Sequence, residues 1–394
     1  MSLAPSLAPA LNSPLPPPEA LPQLPYVSRL LRVADRSEPL VLRSGESLER
    51  VDVAYETYGS YDGTNAVFVC HPLTCDAHVA AHGPGDRPGW WDAMVGPGRT
   101  IDTDRYFVVC ANVLGGCSGT TGPTSPRADG RRWGPGFPAV DIADMVAVHR
   151  RLLDALGVGR LHAVVGPSMG GSQVLQWLLD RPGDAATFVA VAGTARLSAD
   201  NRCWNAVARS AVRHDADFRG GHYAPGAGPR SGLATARMIG HLTYLSEPEL
   251  ERRFGHEVSG PRSGPAAIAP YLDHQGAKFV DRFDANSYLT LLDAMDRFDA
   301  FARPSVLGRV PEVPGVLLAS LRGDRRFGRE HSVHMARGLA ERGVRAEHHH
   351  ETETEAGHDA AILELPQLAA RIGAFLSAAP QLPKDGRRRS CTVG

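Results

Sequence analysis

This sequence predicts an α/β fold, a mostly parallel sheet into which a helical lid is inserted. Three observations carry the prediction. Continuous apolar runs at 66–70, 106–111, 161–165, 188–191 and 316–319 read as strands buried on both faces, the pattern of a parallel sheet. Helical patterns separate several of them, notably 142–156, which sets Met145, Val146, His149, Leu152 and Leu153 on one face. The alternation then breaks from about 198 to 307, where helix-like patterns are interrupted by Gly220-Gly221 and Gly260-Pro261 without a convincing strand. An insertion of that size in an α/β chain usually covers the C-terminal ends of the strands.

Taken in order, residues 1–28 are rich in Pro, Leu and Ala and lack both a basic start and an unbroken apolar stretch. They read as a disordered leader and not as a signal peptide. Residues 29–197 form the first part of the core, opened by alternating runs such as Val51-Asp52-Val53-Ala54-Tyr55 that suit antiparallel strands. Residues 198–307 form the lid. The core resumes over 308–378, with a last strand near Ala346 and a last helix from about Leu363 to Leu376. Residues 379–394 read as a disordered basic tail. Its end, Cys391-Thr392-Val393-Gly394, fits a prenylation box poorly, because Thr and Gly stand where that box wants other residues.

Composition narrows the function. The chain has 394 residues, is 43% hydrophobic and 22% charged, and carries a formal net charge of −1, an ordinary balance for a globular enzyme and not for a protein that grips nucleic acid by bulk charge. No apolar run reaches the ~18 residues needed to cross a bilayer. The six cysteines are scattered, which points to a reducing cytoplasm without a disulfide framework. Neither Cys70-x4-Cys75 nor Cys110-x6-Cys117 has zinc-ribbon spacing, so no metal is expected. With only Lys278 and Lys384 as lysines, Schiff-base chemistry has almost no candidate.

One segment is far more specific. The apolar run at 161–165 leads into Gly166-Pro167-Ser168-Met169-Gly170, and Val174, Leu175, Leu178 and Leu179 then recur at helical spacing before Pro182. Strand, Gly-x-Ser-x-Gly, helix is the setting of a nucleophile elbow, in which the two glycines make room for a sharp turn and the serine hydroxyl stands above the sheet. A serine needs a base, and the base an orienting acid. In an α/β-hydrolase fold they follow in the order Ser, Asp or Glu, His. Asp324, a few residues after the run at 316–319, and His358, between the last strand and the last helix, fit that order. Ser168, Asp324 and His358 are therefore the candidate triad, with Asp359 left free for substrate.

The remaining histidines are assigned by position. His149 on a helical face and His162 within a strand read as structural, whereas His71 and His78, in a loop after a strand, suit either a structural or a site role. His348-His349-His350 alternate sides in a strand and so do not converge on one ion; an edge or a solvent face suits them better. An oxyanion needs two donors: the Met169 N–H, and one from His71-Pro72-Leu73-Thr74 after the first buried strand. Leu73 is chosen because Pro72 has no N–H, with a neighbouring N–H as the alternative.

The motifs then become family-specific. His71-Pro72-Leu73-Thr74-Cys75-Asp76-Ala77-His78-Val79, Gly89-Trp90-Trp91-Asp92, Asn112-Val113-Leu114-Gly115-Gly116-Cys117, Ala236-Arg237-Met238-Ile239-Gly240-His241, Arg282-Phe283-Asp284-Ala285-Asn286-Ser287-Tyr288 and Gly357-His358-Asp359-Ala360 occur in order within 51–376. In these stretches the chain resembles the homoserine O-acetyltransferase family, which shares its fold with serine O-acyltransferases. The resemblance implies a ping-pong acyltransferase that uses acyl-CoA as co-substrate and no cofactor, with L-homoserine as acceptor and acetyl as the leading acyl group. It implies that Arg237 binds the acceptor carboxylate and Asp359 its amino group, that the lid covers a tunnel for the CoA arm, and that lid helices pair two copies in a cytoplasmic homodimer serving methionine biosynthesis. Cys75, Pro167, Arg325 and Arg326 depart from the family's usual residues and leave room for a serine or specialised-pathway acceptor. An esterase or thioesterase, and a non-catalytic scaffold, are the competing classes.

Overall fold

The computed structural model describes residues 28–307, 314–380 and 382. The expected leader and tail, apart from their inner margins, lie outside the described residues. Among those residues eight strands form the main sheet: β1 (Arg29–Ala34), β2 (Val51–Tyr58), β3 (Ala66–Val69), β4 (Phe107–Ala111), β5 (Leu161–Pro167), β6 (Ala185–Val191), β7 (Gly315–Leu321) and β8 (Glu347–Glu351). Their spatial order is β1-β2-β4-β3-β5-β6-β7-β8. The alternating strands at the start pair antiparallel, β1 with β2 and β2 with β4. All later neighbours are parallel.

The continuous apolar runs are central because both faces of the sheet are covered. Val67, Val69, Val108, Ala163, Val165 and Val189 point to one core, and Phe68, Val109, Val164, Phe188 and Leu318 to the other. Helix α1 (Ile142–Ala155) starts with a capping box, Asp141 and Asp144 each accepting from the other's backbone, which satisfies two of the donors a helix start leaves open. Helix α2 (Met169–Asp180) follows β5 directly and buries Val174, Leu175, Leu178 and Leu179.

Between β6 and β7 come α3 (Ala199–His214), α4 (Arg230–Tyr244), α5 (Glu247–Phe254), α6 (Ile268–Val280) and α7 (Ala285–Arg297). Ser198, Ser246 and Asp284 cap α3, α5 and α7 by accepting backbone N–H bonds. The chain closes with α8 (Arg329–Ala340) and α9 (Pro366–Ser377). The last helix starts three residues later than the apolar spacing predicts. Residues Gly357–Ile362 form a 3-10 turn, and Pro366 then opens α9 at its first turn, where a missing N–H costs nothing.

β8 lies at the edge of the sheet, and its histidines alternate as expected. His348 Nε2 and His350 Nδ1 both meet the Ser320 hydroxyl, at 3.0 and 2.9 Å, while His349 faces Glu351. His149 and His162 hold structural contacts, to Gln173 Oε1 and the Leu376 carbonyl.

Candidate active site

Ser168 sits between β5 and α2 with φ +58° and ψ −123°. A non-glycine residue in such a conformation costs on the order of 1–3 kcal/mol and persists only where its surroundings enforce it. Here the Ser168 N–H donates to the Val191 carbonyl at 2.9 Å. The two elbow glycines are steric necessities: a Cβ on Gly170 would run into the Cys70 carbonyl, and one on Gly166 would stand 2.6 Å from the Gly170 carbonyl carbon. The turn therefore lets helix and strand pass at backbone contact, which lifts the hydroxyl off the sheet.

Ser168, His358 and Asp324, distant in sequence, meet in one chain of hydrogen bonds. Ser168 Oγ lies 2.8 Å from His358 Nε2, and His358 Nδ1 lies 2.8 Å from Asp324 Oδ2. The carboxylate holds its place because Oδ1 accepts the backbone N–H groups of Arg326 and Phe327, each at 2.8 Å. This fixes the tautomer: Nδ1 donates to Asp324, which leaves Nε2 free to accept the serine proton. The imidazole is held by the Phe327 ring edge-on at 5.2 Å and the Tyr244 ring at 5.8 Å. Gly357 before it has φ +71°, and a Cβ there would strike Ser246 N and the Tyr244 carbonyl, so the histidine loop presses directly on the lid.

The proposed oxyanion donors occupy suitable backbone. Met169 is the first residue of α2, where the N–H has no intrahelical acceptor. Leu73 is in a turn closed by the Cys75 N–H to Pro72 carbonyl bond at 3.0 Å. His71, whose role was open, pins that turn: its Nε2 accepts the Val113 N–H at 3.0 Å and its Nδ1 meets the Pro72 carbonyl at 2.7 Å.

Opposite the triad, α4 brings in Arg237. Its guanidinium lies 5.4 Å from the Tyr244 ring and 5.2 Å from the Phe279 ring, with one 3.4 Å bond to Thr74 Oγ1. Asp359 follows His358, and its carboxyl has no hydrogen-bond or ion-pair partner among the described residues. Burial pushes its carboxyl above the usual aspartate value, opposed by the charges of Arg237, His358 and Arg253. Asp359 and Arg237 thus leave polar atoms without strong partners among the described residues.

Sequence reasoning missed three neighbours. Arg282 donates to the Thr74 carbonyl at 2.6 Å, so two arginines reach the turn that carries Leu73. Arg325 and Arg326, seen only as departures, tie the loop of the triad acid to the lid: Arg325 reaches the Leu242 carbonyl at 3.0 Å, and Arg326 reaches Asn205 Oδ1 at 2.9 Å. A cavity of about 570 Å³ opens beside Arg282, lined also by Arg132, Tyr223 and Arg230. Ser168, Asp324 and His358 do not line it.

Residues 82–365 match the model of the alpha/beta hydrolase fold family. The chain is 45% identical over 360 residues to a homoserine O-acetyltransferase of Caulobacter vibrioides, covering 87% of this chain and 93% of the relative. It is 44% identical over 368 residues to a homoserine O-succinyltransferase of Magnetococcus marinus, covering 88% and 93%. Among solved structures, a homoserine O-acetyltransferase from Bacillus anthracis superposes with a TM-score of 0.78 at 24% identity, covering 91% of this chain and all of that one, which bears on the fold.

Proposed function

The chain belongs to the homoserine O-acyltransferase family of α/β hydrolases, and from that premise we propose that it moves an acetyl group from acetyl-CoA to the side-chain hydroxyl of L-homoserine. The observation that carries the reading is the unbroken Asp324–His358–Ser168 chain, which faces the half-bonded Arg237 and Asp359. As Ser168 Oγ attacks the thioester carbonyl carbon, its proton passes to His358 Nε2, and the oxyanion accepts bonds from the Met169 and Leu73 N–H groups. The C–S bond breaks, and His358 returns the proton to the departing thiolate. Homoserine then binds through its carboxylate to Arg237 and its ammonium to Asp359. His358 takes the hydroxyl proton as that oxygen attacks the acyl-serine, and gives it back to Ser168 Oγ as the ester bond to the enzyme breaks.

Water is the competitor at the second step, so the lid has to keep the acyl-serine dry. The cavity beside Arg282 is a suitable seat for the anionic nucleotide end of CoA: Arg132, Arg230 and Arg282 line it together with Asp281 and Asp284, and Arg230 is paired with Asp281. A homodimer formed through the lid is supported by apolar side chains exposed on three of its helices, Val207, Leu242 and Ile268; light scattering on the purified protein tests it. A cytoplasmic setting fits a biosynthetic enzyme that consumes acyl-CoA. No helix among the described residues is long and apolar enough to cross a membrane.

The deciding experiment is a matrix of acetyl-CoA and succinyl-CoA against homoserine and serine, read as thiol release. Release that depends on homoserine and is fastest with acetyl-CoA is the expected result. Release at the same rate without any amino acid would mean that water is the acceptor and the protein a thioesterase.

A further inference from the structure

The loop after β3 carries the oxyanion turn and is then fastened to the sheet by one buried carboxylate. Glu56 lies on β2, 1% exposed. Its Oε2 accepts the Tyr58 hydroxyl at 2.6 Å and stands 2.9 Å from both His78 Nδ1 and His82 Nε2, while Oε1 accepts the Ser28 hydroxyl at 2.7 Å. The other His78 nitrogen, Nε2, is 2.8 Å from the Arg87 carbonyl oxygen. A carbonyl and a carboxylate only accept, so both nitrogens of His78 must carry hydrogen, and a neutral imidazole has one. Four donors converging on Glu56 keep the negative charge on the carboxylate and the proton on the ring. His78 is thus drawn as a buried imidazolium.

That ring is also the knot of the loop. The His78 N–H donates to Asp76 Oδ1 at 2.9 Å, its carbonyl accepts from Trp90 N, and the Trp90 indole donates to the Asp76 carbonyl. Leu73 lies five residues upstream, in the turn held by Arg237 and Arg282. We propose that the His78 imidazolium, clamped between Glu56 and the Arg87 carbonyl, is a positioning group for the oxyanion turn, and that losing its proton loosens the turn and lowers turnover at alkaline pH.

The groups facing His78 are few. From β2 come Glu56 and Tyr58. From its own loop come His82, with ring centroids 6.1 Å apart, Asp86, Asp76 and Arg87, whose guanidinium lies 3.5 Å from Asp76. From β4 comes Cys110, whose thiol points to the Asp76 carbonyl. Burial opposes the charge on His78, but the bonds to Glu56 and to the Arg87 carbonyl outweigh it and lift the imidazole above its ordinary value. Burial likewise opposes charge on Glu56, but bonds from His78, Tyr58, Ser28 and His82 hold its carboxyl down to about 2. The arrangement is therefore complete below the ordinary imidazole range and is lost as pH rises through the raised value.

The proposal rests on the acyl-transfer reading only for its activity assay, so it is tested twice. In full-length Ser168→Ala protein labelled at the histidine nitrogens, NMR should show one buried histidine doubly protonated at pH 7, a signal absent from the Ser168→Ala/His78→Gln protein. In otherwise wild-type protein, Glu56→Gln should lower kcat about tenfold at pH 8, leave KM within twofold and move the falling limb of the pH profile to lower pH. His82→Ala should act in the same direction but less, and it serves if Glu56→Gln fails to fold. A neutral His78 at pH 6, a falling limb unmoved by either variant, or a raised KM with unchanged kcat overturns the proposal. So does one equivalent of Zn²⁺ bound by wild type and lost in Glu56→Gln, because the three ligand atoms lie within 4.8 Å of one another and a metal ion would take the place of the His78 proton.

Discussion

The two walls of the active site are finished to different degrees. On the sheet side every polar atom of the triad has its partner: Ser168, His358 and Asp324 are joined at 2.8 Å, and the free oxygen of Asp324 is filled by two backbone donors. On the other wall Arg237, from the lid, makes one bond at 3.4 Å, and the Asp359 side chain, beside His358, makes none among the described residues. Chemistry demands groups that are aimed before substrate arrives, because reorganisation during the reaction adds to the barrier. Recognition demands the reverse. A carboxylate already paired within the protein has to be freed before it can bind an ammonium group, so an unpaired one is worth its desolvation cost once the ligand is seated.

Substitutions on each wall should therefore fail differently. The largest effect is expected from Ser168→Ala, which removes the acyl acceptor and should lower transfer by ~10⁴-fold or more. Its thermal midpoint should stay within ~2 °C of wild type, since among the described residues the hydroxyl bonds only to His358; a large loss of stability would mean that the serine is structural. Arg237→Ala comes next. Loss of a charge-assisted pair worth ~1.5–3 kcal/mol predicts a 10- to 100-fold rise in KM for homoserine, with hydrolysis of a small acetyl ester reduced far less, because Arg282 still holds the turn through the Thr74 carbonyl. Equal damage to both reactions would move Arg237 to the catalytic wall. The smallest effect, and of opposite sign, is expected from Asp359→Asn. Because the folded-state carboxyl sits above its ordinary value, the ionised form destabilises the empty protein at neutral pH, and that cost fades as pH falls through the raised value. The variant should melt ~1–2 °C higher at pH 7, converge with wild type in acid, and use homoserine poorly. A lower melting temperature at pH 7 would show that Asp359 is paired after all.

The sequence tells these walls apart unevenly. The elbow was legible because its geometry is local: two glycines, a serine, and a change of hydrophobic period from strand to helix within a dozen residues. The buried strands were legible for the same reason, since both-face burial leaves an unbroken apolar run, as at 66–70 and 161–165. Asp324 and His358 needed chain order, which the fold fixes. The cluster around Glu56 was not legible. Its members come from β2, from Ser28 just before β1 and from a loop 22 to 26 positions after the glutamate, and nothing in Val51–Tyr58 marks the glutamate as the end of a polar network. Arg325 and Arg326 looked like flaws in the loop of the triad acid because their partners, Leu242 and Asn205, belong to helices whose docking only the tertiary structure reveals. Long side chains that work across two layers leave no period.

Pro167 immediately precedes the strained serine. Proline has almost no backbone freedom to lose, and it also confines the glycine ahead of it to extended shapes. The denatured chain is thus stiff on the approach to its tightest corner, so part of the ordering cost is removed before the sheet assembles. Replacing that ring by alanine would erode stability by ~0.4–1 kcal/mol while leaving every folded contact of the nucleophile in place.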